Sequence, residues 1–323
     1  MTARLLLAGA LLVCLACAGR GGERPLKKAT FLPQWAPQAQ FAGYYVAHER
    51  GLYRRHGIDL TIARGGPESP PTTALQTGTA DFTTLMLSTA VQRRAAGMPL
   101  VNIAQLMQKS AFMLVARRSS GITSPRDLAG RRVGLWPADF QVQPMALFHN
   151  YRVAVTVVPQ AYSIDVFLRG QADAVSAMWY NEFHEILTAG VPESDLTTIF
   201  FHEHGLNFPE DGLYAMESTV RRDPALTCAF VRASIEGWYH AFAAPQQAID
   251  IVLRRMAEAG LSQDRTHQQW MFDRMRDLIW PVDGSARLGL LKADDYRRVS
   301  TALRDSGMIP AIPAYREFAA ACE

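Results

Sequence analysis

Two short stretches hold side chains suited to gripping a flat, polar ring. In residues 31–53, FLPQWAPQAQFAGYYVAHERGLY, Trp35 sits in a Pro-bracketed turn, with Gln38 and Gln40 just beyond it. Phe41, Tyr44, Tyr45 and Val46 follow at the three- and four-residue spacing of a helix that would end at Gly51. Aromatic rings stack on a planar heterocycle, and primary amides read its edge by donating and accepting hydrogen bonds. In the second stretch Trp179-Tyr180 directly precedes Asn181-Glu182. A carboxylate beside an aromatic pair suits a ring amine, an imide or a ribityl-like hydroxyl as donor. Trp136, with Asp139 three residues on, again puts an indole after an apolar run. Asn207 and Asp211, in the loop GLNFPEDG, are placed to reach the same ring or to make Asx turns.

Several of these residues also have plain structural uses. Tyr45 and Val46 read as core. Glu182 would be favourable as a first-turn acid beside the helix dipole. Helical geometry turns Asn181 and Glu185 to one side and Glu182 to another, so the two acids do not form an acid–base pair. His202-Glu203-His204 would place both imidazoles on one face of a strand, but no third ligand is visible in the sequence. No metal and no cofactor is expected. The chain has no GxGxxG, GxxxxGK, GxSxG or HExxH motif.

The elements that must position these residues alternate. Strand-like runs at 58–63, 78–84, 100–105 and 112–116 are interleaved with helix-like runs at 72–77 and 89–97, with Ser88 as a plausible N-cap that also faces the ring site. A polar connector at 119–130 carries Ser124-Pro125-Arg126-Asp127-Leu128. The rhythm then restarts, with strands at 132–136, 153–158, 172–178 and 197–201 and helices at 143–151, 163–169 and 181–189. A last strand at 213–217 leads to helices near 224–243, 245–259, 262–279 and 292–306. The β-α alternation predicts an α/β fold of two doubly wound lobes, residues 26–118 with 213–323 and residues 119–212, with a hinge and an interlobe cleft.

The chain has 323 residues, 49% hydrophobic and 20% charged, with a net charge of +3. Its Lys and Arg residues are scattered among acids, which leaves no basic face for nucleic acid. Residues 1–18 read as a signal peptide, with Arg4 before an apolar run too short to span a bilayer. Ala16-Cys17-Ala18 fits a secretory cut, whereas Leu15-Ala16-Cys17 resembles a bacterial lipobox with Cys17 lipidated. The protein is therefore expected to be exported to the periplasm or cell envelope, held at the membrane if Cys17 is modified. Cys228 and Cys322 would remain, and spacing alone does not decide whether they pair.

These residues resemble the ABC-transporter solute-binding proteins grouped with nitrate, sulfonate, taurine and thiamine-pyrimidine binders, which share likeness with fungal thiamine-pyrimidine synthase. The carrying stretches are Gln34-Trp35-Ala36-Pro37, Gly43-Tyr44-Tyr45-Val46-Ala47, Gly78-Thr79-Ala80-Asp81-Phe82, residues 127–134 (DLAGRRVG) and Trp179-Tyr180-Asn181-Glu182. The resemblance implies a type II periplasmic-binding fold, a small heterocyclic ligand such as a thiamine pyrimidine precursor or riboflavin, and ABC permease and ATPase subunits as partners. Trp35, Tyr44, Trp179 and Glu182 are the positions that it carries over. Phe41 stands where the synthase has its pyrimidine-donating histidine, and residues 205–214 lack its cysteine-rich run, so an enzyme is not expected. Pro137 and Asp139 replace the Gly-rich loop of phosphate-binding relatives, which disfavours a phosphorylated ligand.

Overall fold

The computed structural model describes residues 25–280, 288–320 and 322. The expected signal peptide and Cys17 lie outside them. In the first sheet are β1 (Lys27–Leu32), β2 (Ile58–Ile62), β3 (Phe82–Leu85) and β4 (Leu100–Gln105). In the second are β5 (Phe112–Arg117), β6 (Arg132–Leu135), β7 (Thr156–Pro159), β8 (Ala174–Met178) and β9 (Leu196–Phe200). The chain then returns to the first sheet with β10 (Gly212–Met216). Strand orders are β2-β1-β3-β10-β4 and β7-β6-β8-β5-β9.

In each sheet the strand that arrives from the other lobe runs antiparallel to both its neighbours, β10 between β3 and β4, β5 between β8 and β9. The remaining pairings, β1 with β2 and β3 and β6 with β7 and β8, are parallel. β5 and β8 in the sheet interior, and β4 at a sheet edge, are buried on both faces, so they lack the apolar–polar alternation of a half-exposed strand. The expected lobe boundary at residue 118 moves back to the segment 106–111. The polar stretch at 119–130 looked like the crossing. Instead Ser124 and Asp127 close a capping box inside the second lobe, and β5 already belongs there.

Helices flank both sheets. They are α1 (Ala42–Glu49), α2 (Leu52–Arg55), α3 (Pro71–Thr77), α4 (Leu87–Ala95), α5 (Val142–Tyr151), α6 (Asp165–Leu168) and α7 (Glu182–Thr188). The C-terminal set is α8 (Glu217–Arg222), α9 (Pro224–Ala243), α10 (Pro245–Glu258), α11 (Arg265–Ile279), α12 (Ala293–Asp305) and α13 (Tyr315–Phe318). Asp223 caps α9 by accepting from the Leu226 N–H, with Pro224 pre-set in the first turn. Met86 is the N-cap of α4, so Ser88 is one residue inside the helix and buried, not its cap.

The longest helix, α9, crosses α1 closely. A Cβ on Gly43 would lie 2.2 Å from the Trp238 ring, so only glycine permits that approach. Tyr44 is locked into the same contact, 4.8 Å from Phe31 and 5.9 Å from Trp238 by ring centroids. No helix among the described residues is long and apolar enough to cross a membrane.

Cys228 on α9 and Cys322 form a disulfide, with Cα atoms 5.3 Å apart and a sequence separation of 94. A crosslink closing so long a loop restricts the unfolded chain and typically stabilises by about 2–4 kcal/mol. Cys322→Ser is expected to lower the melting temperature under oxidising conditions and to abolish the drop that a reductant causes in the wild type. Equal melting of both proteins, with and without reductant, would mean the bond does not form.

Candidate functional site

A cavity of about 270 Å³ opens between the lobes. From the first lobe it is lined by Gln34, Trp35, Gln38 and Gln40 after β1, by the start of α3, and by Met86, Thr89 and Arg93 of α4. The second lobe supplies Trp136, Asp139, Phe140 and Tyr162, together with Tyr180, Asn181 and Glu182 at the start of α7, and Glu210 comes from the returning crossing segment. The site thus sits beyond the C-terminal ends of β1, β6 and β8, where an open α/β sheet leaves a crevice.

Trp35 is fixed by a backbone contact. A Cβ on Gly65 would meet the carbonyl oxygens of Pro33 and Trp35 at 2.1 and 2.4 Å, so the loop after β2 can press against this turn only through glycine. Across the mouth, Trp35 meets Tyr162 edge-on at 4.9 Å, and Arg93 lies 3.9 Å from Asp139. Trp136 stacks on Phe112 at 5.2 Å and meets Phe140 edge-on at 5.4 Å, and its indole N–H has no partner among the described residues.

Three buried carboxyls shape the polar part of the site. Glu182 accepts from the Met178 N–H at 2.9 Å and from the Asn181 amide at 2.8 Å. Burial outweighs those bonds and raises its pKa to about 7. Glu210 accepts from the Ser110 hydroxyl at 2.6 Å and the Ala111 N–H at 3.0 Å, and burial raises its pKa to about 8. Asp211, raised by burial to about 6, accepts from Gln40 at 2.8 Å and also from Gln34. Gln40 in turn accepts from Gln38. Burial, then Asp211, Glu210 and Glu182, push the Tyr180 phenol far above its usual range, so it stands as a neutral donor among them. Burial thus favours the protonated form of each carboxyl, and this edge can both accept and donate hydrogen bonds.

Of the residues predicted from the sequence, Trp35, Gln38, Trp136, Asp139, Tyr180, Asn181 and Glu182 meet at this cavity. The others do not line it. Phe41, just before α1, and Tyr44, on it, are fully buried; Tyr44 packs against Trp238 of α9, and the turn that holds Phe41 packs on α11 and α10. Ser88 faces the core of α4. Trp179 turns away to Phe200 and to the guanidinium of Arg274. Asn207 ties the crossings together, accepting from the Ser110 N–H at 2.8 Å and donating to Asp295 of α12 at 3.1 Å. Asp211 acts behind the wall by holding the glutamines. Residues 201–204 form a tight 3-10 turn just past the strand, so His202 and His204 do not share a strand face. His202 bonds the Ser110 carbonyl and His204 the Tyr151 hydroxyl, so the two rings are held by different partners.

Glu210, Gln34, Arg93 and Tyr162 line the cavity without having been singled out. Glu210 had one available signal, an acid next to Asp211 in a loop otherwise made of apolar and turn residues.

Raised carboxyl pKa values make stability depend on pH. Glu210 binds its proton more tightly folded than unfolded, so its contribution is full below about pH 4.5 and is lost as pH rises to about 8. Glu210→Gln is therefore expected to flatten the fall in melting temperature between pH 5 and pH 8. A variant curve parallel to the wild type across that window would mean that Glu210 is not buried as described.

Residues 38–248 match the family described as NMT1/THI5 like. The riboflavin-binding protein RibY of Chloroflexus aurantiacus is 24% identical over 301 residues, covering 88% of this chain and 83% of that one. The 4-amino-5-hydroxymethyl-2-methylpyrimidine phosphate synthase of Legionella pneumophila is 32% identical over 107 residues, a third of each chain. The periplasmic aliphatic sulphonate binding protein SsuA of Escherichia coli superposes with a TM-score of 0.70 at 15% identity, covering 90% of this chain and 96% of that one. The family match spans well over half of the chain and the superposition nearly all of it: the protein belongs to the NMT1/THI5-like family and has the two-lobed periplasmic-binding-protein fold.

Proposed function

We propose that the chain is the extracytoplasmic solute-binding component of an ABC importer. It captures an aromatic nitrogen heterocycle, of the thiamine-pyrimidine or flavin type, and delivers it to a permease driven by ATPase subunits. The observation that carries this reading is the chemistry of the cleft. Indoles from both lobes, Trp35 and Trp136, flank it, and Tyr180, Asn181 and Glu182 face Gln34, Gln38 and Gln40 as hydrogen-bonding edges. One guanidinium, Arg93, stands against Asp139, Glu182 and Glu210. A sulfonate or phosphate site needs a surplus of donors and positive charge. The relative aligned over most of both chains is a riboflavin binder, which supports the same class.

A synthase reading draws on matches that cover between a third and about half of the chain. Against it, Phe41, at the position where the resemblance puts the synthase's histidine, is a fully buried phenyl ring. Binding without turnover is expected.

Stacking on an aromatic ring contributes about 0.5–1.5 kcal/mol beyond buried area, and a hydrogen bond to a charged group about 1.5–3 kcal/mol. Trp35→Ala should therefore weaken binding about tenfold. Glu182→Gln should hurt heterocycles that donate at that edge more than those that accept. Calorimetric titration with riboflavin and with 4-amino-5-hydroxymethyl-2-methylpyrimidine, alongside thermal melts, measures both. Folded variants that bind like the wild type would move the site elsewhere.

For the N-terminus, Cys17 as a lipidated first residue predicts that full-length protein made in a bacterial host partitions into detergent and carries added acyl mass. A mature form beginning at Gly19 without that mass would make it a free exported protein.

A further inference from the structure

Two adjacent residues of α11 reach opposite halves of the cleft. Gln268 accepts from the Ala39 N–H at 2.7 Å, between Gln38 and Gln40 on the first-lobe wall. His267 Nε2 lies 2.9 Å from Asn181 Oδ1 on the second-lobe wall, and Asn181 donates to Glu182. His267 Nδ1 lies 2.9 Å from His184 Nδ1. The His184 ring stacks on Trp270 at 4.9 Å, and the Trp270 N–H donates to the Trp179 carbonyl at 3.1 Å. Arg274 lies over Trp179 at 4.7 Å and over Trp270 at 4.8 Å.

The direction of these bonds follows from one amide. Asn181 gives its nitrogen to Glu182, so its oxygen must accept, and His267 must carry its proton on Nε2. His267 Nδ1 is then an acceptor, and His184 donates from Nδ1. The chain of donors runs from α7 through α11 back to α7 and ends on a carboxylate that faces the cavity. Burial holds both imidazoles below their ordinary range, which keeps them neutral as this chain requires; Asp264 faces both rings, and Glu185 faces Glu182.

We propose that α11 is a clasp joining the two lobes behind the pocket, and that its His267 is a positioning residue that orients Asn181 and thereby holds Glu182 toward the ligand. Only the identity of what Glu182 contacts rests on the heterocycle reading; the clasp is a property of the unliganded chain. Because Gln268 holds the facing glutamine wall from the next position, a shift of α11 moves both hydrogen-bonding edges together. The spacing between those edges, and so the width of ring accepted, is set by a helix that itself lies outside the cavity wall.

The test reads Glu182 directly. In protein labelled with ¹³C at glutamate carboxyls, with Glu182 assigned through Glu182→Gln, its titration midpoint is followed by NMR. In His267→Ala, Asn181 loses its anchor, the bond favouring the charged carboxylate loosens, and the midpoint should move upward. His267→Gln, whose Nε2–H can still donate to Asn181, should restore it. A merely structural role would lower melting temperature without moving the midpoint, and an unmoved midpoint in folded His267→Ala overturns the proposal. Imidazole ¹⁵N shifts of the wild type decide independently of whether the alanine variant folds: a proton on Nε2 of His267 and Nδ1 of His184 is required, and the reverse overturns it. With riboflavin as the binding probe, His267→Ala should bind about tenfold more weakly and His267→Gln nearly as the wild type. A wild type that ignores riboflavin counts against the ligand reading, and the NMR arms still decide the clasp.

Discussion

Where the chain returns from the second lobe to the first, two carboxyls lie buried side by side, and the cleft takes its shape from them. Glu210 binds the hydroxyl and backbone of the outgoing crossing, at Ser110 and Ala111. Asp211 binds Gln34 and Gln40 of the first-lobe wall. Burying such groups is unfavourable unless each oxygen finds donors, so the two crossings and the glutamine turn are held in one register or the carboxyls go unsatisfied. Asp211 also has a positive φ of 49°, a conformation that aspartate tolerates better than most residues and that tends to persist where neighbours enforce it. The strain sits at the hinge, next to the site.

From that anchor each lobe projects one indole-bearing turn past the end of a parallel strand. Trp35 follows β1 and Trp136 follows β6, so the two walls are aromatic for the same topological reason. The contacts closing the mouth, Trp35 with Tyr162 and Arg93 with Asp139, are partly exposed and correspondingly weak. They can part to admit a ligand while the buried crossings stay intact, which is the division of labour that a hinge closure needs.

Most of the architecture was legible in the alternation of strands and helices, and the long C-terminal helices fall within a few residues of their expected ends. The lobe boundary was not. A crossing of six residues, 106–111, contains no Gly or Pro, whereas the polar stretch at 119–130 has the composition of a linker and is a turn inside one lobe. At the site, an indole after a strand led to the cleft for Trp35 and Trp136 but not for Trp179, which directly follows β8 and packs against Phe200 and Arg274. Tyr44, expected at the ring from its helical spacing, is buried as well. Neither a strand end nor a helical spacing says what will cover a side chain, and here α9 covers Tyr44 and α11 covers Trp179. Both covering helices lie far along the chain, so no local pattern announces them. Glu210 was missed for a related reason: an acid in a loop reads as solvated until the partner crossing closes over it.

A cleft built for a neutral, stacked heterocycle with hydrogen-bonding edges should retain such a molecule from the cell in which the protein is made. Protein purified quickly and without dialysis from a bacterial host can be denatured, and the released small molecules identified by mass spectrometry with absorbance detection. The expected molecule is an unphosphorylated aromatic nitrogen heterocycle, near one per chain and absorbing in the near ultraviolet. A sulfonate, nitrate or phosphate ester recovered in that proportion would contradict a cleft built for a neutral heterocycle.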